Sequence, residues 1–140
     1  GVRFNELNAC FYRRLDLLFG FVGLFGGSSV VVGAMTGRPI VATVAGTIIA
    51  ASAILERLIR PIEKAVAHED FRRRYPELDS RGLSLDLAAI DQELRRLQGD
   101  GPPGIRALAI PAYNANLRSN GRIDRIEKET PWEKLMAVIS

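Results

Sequence analysis

Cysteine and histidine are nearly missing from these 140 residues, each present once, as Cys10 and His68. One cysteine excludes an intrachain disulfide, and one cysteine with one histidine cannot build a Cys/His zinc site. Aromatic side chains make up only 7% of the chain, which argues against a base-stacking nucleic-acid surface. Charge is missing from one long stretch. Of 19 basic and 16 acidic residues, only Arg38 falls between Leu17 and Leu55. The composition is otherwise that of a single folded domain, 47% hydrophobic with net charge +3. The averages therefore join two unlike parts.

Leu17–Gly37 is a run of 21 uncharged residues. As a helix it would be roughly 31 Å long, enough to cross the ~30 Å hydrocarbon core of a bilayer. Ile40–Leu55 adds 16 more, and Leu58 and Ile59 extend that run if Glu56 and Arg57 reach toward the interface. Gly37-Arg38-Pro39 separates the two runs. Gly suits the position just past a helix end and Pro the first turn of the next helix. The expectation is all-α: an apolar, transmembrane-type hairpin over 17–59, turning at 36–39 and followed by amphipathic helices.

Both runs are apolar on every face, whereas a surface helix keeps a polar stripe. Seven of the 13 glycines lie inside them. Gly23 with Gly27, Gly33 with Gly37, and the row Ala42, Gly46, Ala50 have the spacing that lets helix backbones approach closely in lipid. Thr43 and Thr47 share a face and, with Arg38 at the turn, are candidates to line a pore. A hairpin buried against protein in a large assembly is the alternative to one buried in lipid. A signal peptide fits less well, since the first run is long for one and a second follows at once.

Residues 1–16 form an amphipathic entry segment in which Tyr12, Arg13 and Arg14 are expected at headgroup level. Arg3, Arg13 and Arg14 precede the hairpin, and Arg57, Arg60 and Lys64 follow it. By the positive-inside rule both termini face the cytoplasm of a bacterial inner membrane.

Residues 60–140 form a charged helical region. Pro61 predicts a kink or break, and Tyr75-Pro76 the end of the next helix. Positions 56–79 carry six basic and six acidic residues. Arg72, Arg73 and Arg74 are the only dense basic run. They are candidates for lipid phosphate or partner contact, but a solvated face paired with Glu69, Asp70 and Glu77 is preferred, and nucleic acid is not expected. Ser84 is the expected cap, with Asp86 in the first turn, of a helix carrying Leu87, Ile90, Leu94 and Leu97. Positions 99–104 form a Gly/Pro linker and the best candidate for flexible chain. A weaker helix over 105–120 is interrupted by Pro111 and stops at Asn120-Gly121. Thr130-Pro131-Trp132-Glu133 reads as a capping box opening a helix with Trp132, Leu135, Met136 and Ile139 on its apolar face.

No catalytic constellation is present. His68-Glu69 lacks the second histidine of a zinc-protease helix, and the glycines of the first run lack a phosphate loop's Lys-Ser/Thr end. His68 reads as a surface or interface side chain. Neither enzyme activity, a metal nor a cofactor is expected.

The order of parts resembles one family. Phe11-Tyr12-Arg13-Arg14 leads into two close spans. A charged helix with Lys64, Ala65, His68, Phe71 and Tyr75 comes next, then the Ala112-Tyr113-Asn114 step. This is similar to the small prokaryotic two-transmembrane effectors called SLATT domains. The resemblance implies an oligomeric membrane pore triggered by a sensor in bacterial conflict systems. Two other readings stay open: a bacteriophage virion or ejection protein, whose hairpin is buried among neighbouring virion proteins or delivered to the host membrane, and a holin.

Overall fold

The computed structural model describes residues 1–82 and 86–140. Every regular element among them is helical. The order is α1 (Val2–Met35), α2 (Pro39–Ile59), α3 (Pro61–Gly82), α4 (Leu87–Gly99), a 3₁₀ turn at Arg106–Leu108, α5 (Ala109–Ser119), a second 3₁₀ turn at Ile123–Arg125, and α6 (Pro131–Val138). The chain divides into two compact units, Arg13–Ile62 and Gly1–Tyr12 with Glu63–Ser140.

In the first unit the two apolar runs fold back on one another as expected. Gly37 has φ +67°, a left-handed conformation that a Cβ would strain. Its N–H donates to the Ala34 carbonyl at 3.3 Å and the Arg38 N–H to the Gly33 carbonyl at 2.9 Å. This pair of bonds closes a Schellman motif and satisfies carbonyls left open at the helix end. Pro39 then starts α2, where its missing N–H removes no helix bond. At the far end Arg60 takes φ 50° and its N–H caps the Glu56 carbonyl. Pro61 thus follows a break rather than a kink.

The second unit buries Ala9, Tyr12, Ala65, Phe71, Leu78, Leu108, Ala112, Leu117 and Met136. Pro76 does not end α3, contrary to the sequence expectation. The helix runs through it to Gly82. Phe71 and Leu78, buried on either side of Pro76, hold the helix across the missing backbone bond.

The expected cap at Ser84 lies outside the described residues. Asp86 is itself the cap of α4, its carboxylate accepting the Ala89 N–H at 2.7 Å, rather than a first-turn residue. Pro111 sits in the first turn of α5, where an N–H has no intrahelical partner, and does not interrupt it. Asn120-Gly121 does stop α5. Gly121 has φ +70°, and the Arg122 N–H returns to the Leu117 carbonyl at 2.9 Å. The Thr130–Glu133 capping box forms with both reciprocal bonds.

The 99–104 segment is a further correction, since it is held rather than loose. Gly104 lies against the Phe4 ring, and a Cβ at Gly101 would stand 3.2 Å from the Phe71 ring. The Ile105 N–H donates to the Asn8 amide oxygen at 2.7 Å. The glycines allow this close approach, and a buried asparagine fixes it.

Candidate functional site

Two places in the molecule concentrate features beyond simple packing: the surface of the hairpin, and a buried polar cluster in the other unit.

Along the hairpin, three points define the seam between α1 and α2. A Cβ at Gly33 would stand 2.9 Å from the Ala42 backbone nitrogen. One at Gly46 would be 4.0 Å from the Val30 side chain, and one at Gly26 would strike the Ile49 side chain at 2.5 Å. Moving back along α1 is thus moving forward along α2, an antiparallel register fixed by missing side chains. Of the three, only Gly33 meets backbone, at Ala42. Gly23 and Gly27 face away from α2, with nothing within 4 Å of a Cβ built on them. Gly37 serves the turn, also in open space, and Ala50 is exposed. Gly26 was not among the expected contacts. Its signal was the shared spacing Gly26-x6-Gly33, two turns apart on one helix face.

Much of the remaining hairpin surface is apolar and exposed. Leu24 is 75% exposed, Met35 83%, Ile40 77% and Leu58 75%. Phe21 and Phe25 stack on one another at 4.1 Å. Both helices are long and apolar enough to cross a membrane.

The hydroxyls in these runs turn back on their own helices. Thr43 donates to the Pro39 carbonyl at 2.9 Å and Thr47 to the Thr43 carbonyl at 2.9 Å. Ser28, Ser29 and Thr36 bond back one turn in the same way. This satisfies each proton while leaving lone pairs on the outer face. Thr43, Thr47 and Arg38 are all exposed, with Arg38 in the turn.

The remaining candidate contacts spread over the surface. Arg13, Arg14, Arg57 and Arg60 are exposed in the hairpin unit. In the other unit Arg72 pairs with Glu69 at 2.7 Å, and the Arg74 guanidinium lies over the Phe71 ring at 5.5 Å, while Arg73 is exposed. Arg74 also lines a cleft of about 260 Å³ with Glu77, Arg81, Glu93, Arg96 and Asp100. Mixed charge suits a solvated, ion-paired face better than an anion-binding patch. Trp132 is 60% exposed on α6, whose Met136 is buried.

The buried polar cluster was not legible as such. Asn8, His68 and Asn114 are fully buried and Asn5 is 4% exposed. His68 is therefore interior, not a surface residue. Its Nδ1 lies 2.8 Å from the Asn5 Oδ1, and its ring stacks on Tyr12 with centroids 5.9 Å apart. The Lys64 ammonium lies over the other ring of this stack, 5.3 Å from the Tyr12 centroid. Tyr12 is thus a core residue of this unit, not a headgroup anchor, and burial raises its pKa. Burial lowers the His68 pKa, opposed by the Pro103 carbonyl.

Asn114 makes a second clamp. Its amide donates to the Glu127 carbonyl and to the Glu129 carboxylate, both at 2.8 Å, and its oxygen accepts the Glu127 N–H at 2.9 Å. A side chain here pairs with backbone as a strand neighbour would, pinning the 127–129 segment to α5. The signals for these residues were periodic. Asn5, Asn8, Ala9 and Tyr12 share one helical face, as do Ala65, His68 and Phe71. Among the described residues no three His, Cys, Asp or Glu side chains gather closely enough to hold a metal ion.

No family model matches the chain, and no curated protein or solved structure matches it.

Proposed function

We propose that this chain is a membrane-inserted helical hairpin that assembles with copies of itself into a pore, an effector of the kind its sequence pattern resembles. The observation that carries the reading is the hairpin's surface. Side chains such as Leu24, Met35, Ile40 and Leu58 are exposed all round a two-helix unit with an apolar seam. Water would oppose such a surface at about 25 cal/mol per Å², and patches of this size mark a membrane or protein contact. Lipid removes that cost, and the helical backbone of both spans satisfies its own polar groups.

Two further features support assembly and conduction. Gly23 and Gly27 meet nothing within the chain, which leaves a flat face on α1 for a neighbouring copy. The exposed lone pairs of Thr43 and Thr47 offer α2 an acceptor-lined path, with Arg38 at one mouth. Basic residues flank both ends of the hairpin, which supports a reading with both termini at the cytoplasmic face of a bacterial inner membrane.

The test is membrane fractionation with carbonate extraction, followed by dye release from vesicles loaded with the purified chain. The chain should resist extraction and release a small dye. A chain that stays soluble and monodisperse without detergent would sink the membrane reading. A chain that inserts but releases nothing would sink the pore.

A further inference from the structure

We propose that His68 is an acid-sensitive latch, which frees the first turns of α1 from α3 and from the segment 99–105 when its ring gains a proton. The latch concerns the unit of Gly1–Tyr12 and Glu63–Ser140 alone and does not rest on the membrane reading.

The hydrogen bonds define the ring's state. The Asn5 amide nitrogen donates to the Gly1 carbonyl at 3.0 Å, so its oxygen faces Nδ1 of His68 as an acceptor. Nδ1 must then carry the proton, and Nε2 carries the lone pair. Nε2 is buried and has no hydrogen-bond partner. A buried nitrogen without a partner is costly when neutral, and protonation buries a cation that the Pro103 carbonyl favours but does not fully offset.

The charged groups around the ring do not offset that cation. On its own helix, Lys64 lies one turn earlier, its ammonium over the Tyr12 ring that stacks on His68. Glu69 is engaged by Arg72 at 2.7 Å. On α1, Glu6 is engaged by Arg3 at 2.7 Å, and Tyr12 is a neutral phenol whose pKa burial raises further. On the 99–105 segment, the Pro103 carbonyl favours the protonated ring, while Asp100 lines the cleft with Arg74 and Arg96. Burial outweighs the carbonyl, so the ring's pKa lies below its ordinary value.

The ring sits where three pieces of chain meet. Asn5 ties it to α1. Asn8, one turn further along α1, holds the Ile105 N–H at 2.7 Å. Gly104 rests on the Phe4 ring of the same helix. Opening this contact returns the imidazole to water, where its proton affinity is ordinary. The open form therefore binds more protons. The closed form keeps its full advantage above the ordinary histidine pKa and loses it as pH falls from there to the folded-state pKa.

The chain has a single histidine, so its ring can be followed without ambiguity. The experiment is nitrogen-detected NMR titration of that ring in the full chain, in detergent micelles where needed. Exchange of the Ile105 amide is measured beside it from pH 7 to pH 5 and corrected for intrinsic exchange. The neutral ring should carry its proton on Nδ1 and titrate below 6.5. The Ile105 opening constant should rise as pH falls, about tenfold for each unit by which the pKa is depressed. His68→Gln retains an amide toward Asn5 but cannot titrate, so its opening constant should be flat. A ring titrating at or above 6.5, a flat wild-type profile, or the wild-type slope surviving in His68→Gln would each overturn the latch. If His68→Gln does not fold, the ring titration and the wild-type profile decide.

Discussion

Asn114 and Gly33 each stand at a close contact of one unit, and they hold their neighbours by different means. Around Asn114 a polar side chain is buried with its bonds filled, and the backbone of 127–129 is fixed in one place. At Gly33 a side chain is absent, and the Ala42 backbone comes against it. The second unit hides polar groups inside and shows charge outside. The hairpin joins two apolar helices through small residues and shows apolar surface outside. A buried polar network specifies one arrangement, because any displacement strands a donor or an acceptor. A small-residue seam gains through close van der Waals contact over a length of helix.

The sharpest way to break this contrast is at Asn114. Replacing it with leucine would strand both the N–H and the carbonyl of Glu127. We expect a loss of about 2–4 kcal/mol in chemical unfolding, with exchange of the Glu127 amide accelerated first. A change under about 0.5 kcal/mol would mean that water replaces the side chain without cost and that the clamp is ornamental.

Gly33→Ala and Gly27→Ala sharpen the hairpin side. The new methyl at position 33 would press on the Ala42 backbone, and overpacking of this kind costs about 1–3 kcal/mol. At position 27 the methyl meets open space, so the monomeric helix should gain up to about 1 kcal/mol. Thermal unfolding in detergent should separate the two in sign. Equal effects would remove Gly33 from the seam. If Gly27→Ala leaves the monomer intact but lowers the oligomer fraction, the outer face of α1 is where copies meet.

The smallest effect is expected from Thr43→Val with Thr47→Val. Each hydroxyl bonds back on its own helix, so the pair should change hairpin stability by less than about 1 kcal/mol. Dye release should nevertheless fall, since the acceptor oxygens are gone. Unchanged release would show that this face does not line the path.

Much of the hairpin was readable because its signals are local. Run length, Gly37 and Pro39 act through the backbone of the residues that carry them, and so do the Thr130–Glu133 box and the Asn120-Gly121 stop. Pro76 misled for the converse reason. Its local preference is outweighed by Phe71 and Leu78, which bury the helix on both sides of it. Positions 99–104 misled likewise. Glycine and proline signal freedom, but the same glycines let Phe4 and Phe71 come close. Of the candidate site, Gly33, Ala42 and Gly46 were legible as small residues at helical spacing. Which of the small residues meet and which face outward was not, because spacing fixes a face without naming its neighbour.

The sequence by itself determined the helical class, the hairpin with its turn, and the segregation of charge, since these depend on period, length and residue type within a few turns. Only the tertiary structure decided what lies inside the charged unit. Asn5 meets His68 across 63 residues, and Asn8 meets Ile105 across 97. A polar side chain on a helix looks the same in sequence whether it faces water or a partner far along the chain. Its role is set when another segment arrives to satisfy it and exclude the water.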